Sequence, residues 1–262
     1  MKLLITGANG FVGHKIMESY PQATAAPSLR NATQEMIKRI VEESEADVVI
    51  HTAAISDIGT CEKNPESSYF ANVQIPIYLA QACRDRKLIC FSSDQVYSAC
   101  EEDGPYTEDM AKPGNVYAEH KLEMEERVLD LVPSAVMLRA EWMYDYVSPK
   151  PNYFLNLIHA EQPAAFSSRQ FRGLTYLKEV VENMDAVMTL PGGAYNFGSE
   201  TTQSMYEITK QFLAFLGKPV PVQDAPPRHN LWMDCGKARK QGVEFSDVLD
   251  GLKKCTSDYN RT

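Results

Sequence analysis

The sequence predicts an α/β fold built on a doubly wound parallel sheet. Two observations carry this expectation. Apolar strand patterns alternate with helical patterns, which calls for parallel strands joined by crossover helices. The opening strand also runs without interruption into closely spaced glycines and a new helix.

The first strand is Lys2-Leu-Leu-Ile-Thr6, and Gly7-Ala-Asn-Gly10-Phe-Val-Gly13 follows it directly. Glycines permit a tight turn and close backbone approach. The helix that begins there offers free N–H groups and the positive end of its dipole. This is the recipe for a Rossmann-type pyrophosphate site, lined by Gly7, Asn9, Gly10, Phe11, Val12 and Gly13. The spacing is GxxGxxG rather than GxGxxG, and such glycines also occur in plain strand–helix turns. A weak second strand is expected at 22–26, before Pro27-Ser28-Leu-Arg30. An NAD site usually places an acid at the end of that strand. The chain has none between Glu18 and Glu35. Ser28 and Arg30 would suit a 2′-phosphate, so NADP is expected ahead of NAD; Arg30 as an ordinary loop residue is the other reading.

Residues 33–46 form an amphipathic helix with Met36, Ile37, Ile40 and Val41 on one stripe. Residues 47–53 are a buried strand, and the following Ala53 and Ala54 either pack as small residues or lie along a cofactor. A long helix is expected over 67–86, bent or broken by Pro76. Asn72 lies inside it, where asparagine is disfavoured. The apolar run at 88–91 then delivers Ser92 and Ser93 to a strand end, where open α/β sheets hold ligands. Residues 115–131 form the next helix and 135–139 the next strand. The texture changes at the proline-rich loop 148–152, which precedes a short helix at 153–159.

The helix at 115–131 carries the chemistry. Tyr117 and Lys121 are four residues apart, so they share a face. A neighbouring ammonium favours the phenolate, which suits proton exchange with a carbonyl or alcohol oxygen. Amphipathic helices also produce this spacing by chance, as a surface pair. A glycine turn, a strand-end serine and a YxxxK in one chain are less easily coincidental.

With these motifs the chain resembles the extended short-chain dehydrogenase/reductase family, and within it the dTDP-4-dehydrorhamnose reductase-like branch. The resemblance runs through TGANGFVG at 6–13, DVVIHTAA at 47–54, FSSDQVY at 91–97 and PGNVYAEHK at 113–121. It continues through LRAEWMY at 138–144, RQFRGLTY at 169–176 and YNFG at 195–198. It implies Ser93, Tyr117 and Lys121 as a catalytic triad. Ala53, Ala54, Asn72 and Ser92 would adjoin the cofactor, together with Tyr117 and Lys121. A nucleoside-diphosphate sugar would meet Asp94, Val96, Trp142, Arg169 and Arg172. Guanidinium forks match phosphate, although arginines are surface charges by default, and Trp142 is equally readable as core. Arg228 is a weaker cation of the same kind. The implied reaction is reduction of a sugar ketone. An epimerase or dehydratase and a non-catalytic NADP-binding subunit are the alternatives. The resemblance further implies a dinucleotide domain of 1–147 and 173–197, a substrate lobe of 148–172 and 198–262, and allows a homodimer. Ala118 in place of a common glycine, and Ser98-Ala-Cys100 in place of an Asp-Gly turn, leave the particular sugar open.

Composition sets limits. The chain has 262 residues and a net charge of −9, which disfavours nucleic acid and anionic membranes as partners. The longest uncharged stretch, 67–83, contains Asn72, Gln74, Pro76 and Gln81, so no membrane span is expected. Six scattered cysteines form no CxxC and no cluster with histidine, which points to reduced thiols in a cytoplasmic protein and to no metal. His51 and His120 are expected as a strand-packing residue and an exposed helix residue.

Overall fold

The computed structural model describes residues 1–226 and 230–260. Its main sheet has six strands, all parallel, in the order β2-β1-β3-β4-β5-β9. These are β1 (Leu3–Thr6), β2 (Thr24–Ala25), β3 (Val48–His51), β4 (Lys87–Ser93) and β5 (Val136–Ala140), with β9 at Gly193–Phe197. Three short strands lie between β5 and β9: β6 (Trp142–Tyr144), β7 (Ala164–Phe166) and β8 (Leu174–Tyr176). With β10 (Val222–Asp224) they form two small parallel pairs, β6 with β8 and β7 with β10.

Strand side chains alternate between two apolar layers, as a period of two requires. Leu3, Ile5, Val48 and Ile50 join one core with Ile16, Val180 and Met184. Leu4 and Val49 join the other with Ile37, Val41, Leu79, Met124 and Val128. The first layer is closed by α1 (Phe11–Ser19), and the second begins with α2 (Gln34–Ser44). Two short helices, α3 (Ile58–Lys63) and α4 (Pro65–Tyr69), precede α5 (Ile75–Ala82) and the long α6 (Val116–Leu131). Thr33 and Asn115 cap α2 and α6 by accepting the N–H groups of Met36 and Ala118.

The expected long helix at 67–86 is divided. A π-turn at Phe70–Gln74 separates α4 from α5, and Pro76 sits in the first turn of α5. Proline has no N–H and its ring clashes with the carbonyl four residues back, so the helix widens ahead of it. Of the expected stripe on α2, Met36 is exposed, whereas Ile37 and Val41 are fully buried. The second strand is cut to two residues at the sheet edge.

A third apolar cluster lies beyond β5. It packs Tyr144 and Leu174 against α7 (Tyr153–Ile158), α10 (Met205–Phe215) and α12 (Val248–Asp258). Between these helices come α8 (Leu177–Glu182) and α9 (Met184–Thr189), whose Val180 and Met184 return to the first core, and α11 (Gly236–Arg239). All six cysteines are free thiols. Among the described residues no helix is long and apolar enough to cross a membrane.

One buried ion pair fastens α6 to the sheet. Arg139 on β5 places Nε and Nη2 on the Glu125 carboxylate, at 2.7 Å for the shorter contact. Its Nη1 donates to Tyr97 Oη at 2.8 Å and to the Glu108 carbonyl at 2.7 Å. Both charges are almost wholly buried, so removing one leaves the other uncompensated. Glu125→Ala should lower the unfolding free energy by about 3–5 kcal/mol, read from urea denaturation. A loss within the range of a surface substitution would show that the pair does not hold the helix.

Candidate functional site

The C-terminal ends of β1, β3 and β4 converge where strand order reverses between β1 and β3, which is where open α/β sheets bind ligands. The glycine turn rims this edge. Gly7 has φ +73°, the left-handed region, and a Cβ there would lie 2.7 Å from the Ala53 nitrogen. A Cβ on Gly13 would lie 2.2 Å from the Gly7 carbonyl oxygen. Gly10 is exposed at the N-cap of α1, and no side chain caps that helix. Its first N–H groups are therefore available to an anion. Asn9 is exposed, Phe11 and Val12 are half-buried, and Ala53 and Ala54 flank the turn from the end of β3. This cradle fits a dinucleotide pyrophosphate. Ser28 and Arg30 are exposed in the loop after β2, which runs parallel to β1 and so ends at the same edge.

Ser93, Tyr117 and Lys121 come together beneath this edge. Tyr117 and Lys121 stand on the buried face of α6, one turn apart, with Glu125 one turn further. The Lys121 ammonium donates to the Phe91 carbonyl on β4 at 2.8 Å and lies 5.9 Å from the Tyr117 ring centre. Burial lowers its pKa to about 8. The Tyr117 phenol is shifted upward by burial, opposed by a hydrogen bond with Ser93 and reinforced by the Asp94 charge. The spacing argument expected the ammonium to draw the phenol down. In the fold the loss of water outweighs it, and the ammonium is turned to a carbonyl rather than to the phenol oxygen. The Ser93 hydroxyl donates to Asp94 Oδ1 at 3.1 Å and accepts the Gln95 N–H at 3.2 Å.

Other expected site residues are otherwise engaged. The Ser92 hydroxyl donates to Glu125 Oε1 at 2.5 Å, which ties it to the buried ion pair rather than the rim. Asn72 is fully buried in the π-turn. Its Nδ2 donates to the Ile55 carbonyl at 2.9 Å and its Oδ1 accepts the Ile55 N–H at 3.1 Å. It pins the strand-end loop that carries Ala53 and Ala54. The Val96 side chain packs in an apolar cluster with Tyr97, Tyr106 and Leu231, so it turns into the protein. His51 is a packed strand residue: the Thr6 hydroxyl meets its Nδ1 at 2.6 Å, and burial and the Lys121 charge lower its pKa to about 3. His120 is half-buried rather than exposed, bonded to Ser68 and edge-on to Tyr69.

Trp142 is 41% exposed, so it is not core. The Arg172 guanidinium lies 4.9 Å from its ring centre and donates to Asp94 Oδ2 at 2.8 Å. Arg169 is exposed nearby in sequence, and Arg228 lies outside the described residues. Sequence reasoning passed over Glu141, a buried acid beside Asp94 and Arg172. The available signal was a carboxylate standing immediately after an apolar strand. Among the described residues no group of three or more His, Cys, Asp or Glu is placed to hold a metal.

A sequence model of the RmlD substrate binding domain matches residues 1–231. The dTDP-4-dehydrorhamnose reductase of Mycolicibacterium smegmatis is 32% identical over 152 residues, 55% of this chain and 46% of that protein. The chain thus spans about half the length of the first curated relatives it matches. Methionine adenosyltransferase 2 subunit beta of Xenopus laevis is 26% identical over 278 residues, 92% of this chain and 83% of that one. The crystal structure of dTDP-4-dehydrorhamnose reductase from Bacillus anthracis, in complex with NADP, superposes with a TM-score of 0.83 at 19% identity and covers 98% of each chain. The fold is shared.

The buried ammonium carries a testable cost. A lysine whose folded pKa lies at about 8, below its ordinary 10.5, destabilises the fold fully below pH 8 and ceases to do so above 10.5. Lys121→Met should therefore be more stable than the wild type at pH 7, by about 3 kcal/mol. That advantage should shrink as pH rises from 8 to 10.5. A destabilised variant, or a difference independent of pH, would refute the assignment.

Proposed function

The chain belongs to the RmlD substrate binding domain family, and from that premise we propose that it is an NADPH-dependent reductase of a ketone on a nucleotide-activated sugar. The observation that carries this reading is the meeting of Ser93, Tyr117 and Lys121 beside an uncapped glycine turn. The first-choice substrate class is a nucleoside-diphosphate 4-keto-6-deoxysugar, with dTDP-4-dehydrorhamnose foremost, in keeping with the name of the mycobacterial relative.

Gly7, Asn9, Gly10, Phe11, Val12 and Gly13 would hold the cofactor's pyrophosphate, Ala53 and Ala54 would lie along it, and Lys121 would take its nicotinamide ribose. Ser28 and Arg30 would meet the 2′-phosphate of NADP. When bound, the nicotinamide supplies a hydride to the carbonyl carbon. Tyr117 gives its phenolic proton to the ketone oxygen as charge develops there, and Ser93 hydrogen-bonds the same oxygen. The buried Lys121 charge steadies the phenolate that proton transfer leaves. Trp142 offers an exposed ring, and Arg169 and Arg172 offer cations to a diphosphate. In this proposal 1–147 and 173–197 bind the dinucleotide, while 148–172 and 198–262 hold the sugar nucleotide. The return of β9 to the main sheet and the separate core around α10 and α12 support that division.

A non-catalytic subunit is the second reading, favoured by the breadth of the match to methionine adenosyltransferase 2 subunit beta. A screen of nucleotide-sugar ketones with NADPH and NADH, with product analysis, separates the two. The reductase consumes NADPH and yields a reduced sugar, whereas a binder consumes none.

Tyr117→Phe should retain the fold and slow reduction by about 10²–10⁴-fold, the range for loss of a positioned acid. Turnover at the wild-type rate would remove Tyr117 from the mechanism. Cofactor choice is tested at Arg30. A hydrogen bond to a charged group contributes about 1.5–3 kcal/mol, so Arg30→Ala should weaken NADPH by about one to two decades and leave NADH nearly unchanged. Equal losses for both, or no loss for either, would withdraw the support for NADP over NAD.

A further inference from the structure

Glu141 directly follows β5, at the sheet edge that carries Ser93 and Asp94, and it is 4% exposed. Its carboxyl occupies a slot formed by two glycines. A Cβ on Gly173 would lie 1.7 Å from Oε2, and one on Gly198 would lie 2.6 Å from the same oxygen. Thr175 Oγ1 donates to Oε2 at 3.1 Å, and that hydroxyl itself accepts the Ser199 N–H at 2.9 Å. Oε1 is buried with no hydrogen-bond partner. An ionised carboxylate in such a slot would lack both water and a full set of donors, the arrangement that most penalises charge.

The neighbouring charges sharpen the point. Asp94 faces Glu141 from the turn after β4, Arg172 from the approach to β8, and the Cys235 thiol from the segment before α11. Two carboxyls thus share one guanidinium, and that guanidinium bonds Asp94 at 2.8 Å. Like charges sharing a site cannot both ionise without cost. Burial and the Asp94 charge accordingly raise the Glu141 pKa well above 4.5, opposed by Thr175 and Arg172.

We propose that Glu141 is a positioning residue held as the neutral acid, which leaves Arg172 to Asp94 and so keeps the Ser93 hydroxyl available to the substrate oxygen. Ser93 donates to Asp94 in the structure. The strength of that hold depends on how completely Arg172 neutralises the aspartate. An ionised Glu141 would compete for the guanidinium, make Asp94 a stronger acceptor and retain the serine proton there. The role toward Ser93 rests on the reductase reading; the protonation state does not.

The test is Glu141→Gln, which keeps the shape and removes the titration. Its first readout needs neither cofactor nor substrate. A carboxyl with a raised folded pKa binds more protons folded than unfolded, so it lowers stability as pH climbs past 4.5. The Tm of Glu141→Gln should rise relative to wild type between pH 4.5 and 7. A constant gap, or a variant that loses ground over this range, overturns the neutral acid. Should Glu141→Gln fail to fold, Glu141→Met is equally unable to titrate and predicts the same opening gap. The second readout is the pH profile of kcat. Lys121 and Tyr117 titrate on the alkaline side in both proteins, so the difference between the two curves is what counts. On the alkaline limb kcat should fall further in the wild type than in Glu141→Gln, because only the wild type gains a second carboxylate beside Asp94 there. Coincident profiles overturn the role toward Ser93. A wild type that reduces no nucleotide-sugar ketone while the Tm gap opens overturns the reductase reading and that role together, and leaves the neutral acid standing.

Discussion

The Glu125–Arg139 pair is the constraint from which the site's geometry follows. A guanidinium and a carboxylate withdrawn from water persist only if every donor and lone pair finds a partner. The fold meets this demand by bringing six segments to one place. Arg139 spends its remaining donor nitrogen on Tyr97 and the Glu108 carbonyl. Tyr97 donates to Asn196 on β9, and Asn196 donates to the carbonyls of Tyr106 and Asp234. Ser92 completes Glu125 from the end of β4. The rotation of α6 is thereby fixed, and Tyr117 and Lys121, on the same face as Glu125, are turned to the sheet edge with it.

Burial then sets the electrostatics of what α6 delivers. Away from water the uncharged form of each group is favoured, which raises the Tyr117 phenol and lowers the Lys121 ammonium. The two pKa values are thus driven apart, which keeps the phenol protonated, as a proton donor must be, across the neutral range. On the far side of Ser93 the balance is different. Asp94, Glu141 and Arg172 hold two acids against one base, and the base also lies over the exposed ring of Trp142. Arg172 therefore links the protonation of the acids to the exposed ring of Trp142.

Local periodicity made much of this legible. The strand-to-glycine junction at Thr6–Gly7, the alternation of apolar segments and the pairing of Tyr117 with Lys121 are properties of neighbours in the chain. Elements that failed did so through longer-range causes. Helical periodicity continued through 70–74, but Pro76 could not accept a regular turn ahead of it, so a π-turn formed. Met36 matched the stripe of α2 and still faced outward, because the stripe is wider than the core it meets. His120 read as exposed, yet Ser68, 52 residues away, supplies its partner.

The sequence by itself determined the fold class, the glycine cradle and which side chains could carry proton transfer, because each depends on residues within a turn or two of one another. The tertiary structure alone decided what those side chains do. It gave Ser92 to Glu125, Asn72 to the Ile55 backbone and Val96 to an apolar cluster. It paired Arg172 with Asp94 across 78 residues and sealed Glu141 between Gly173 and Gly198. The physical reason is that a charge's state depends on its burial and its partners, and both are set by contacts between segments distant in the chain.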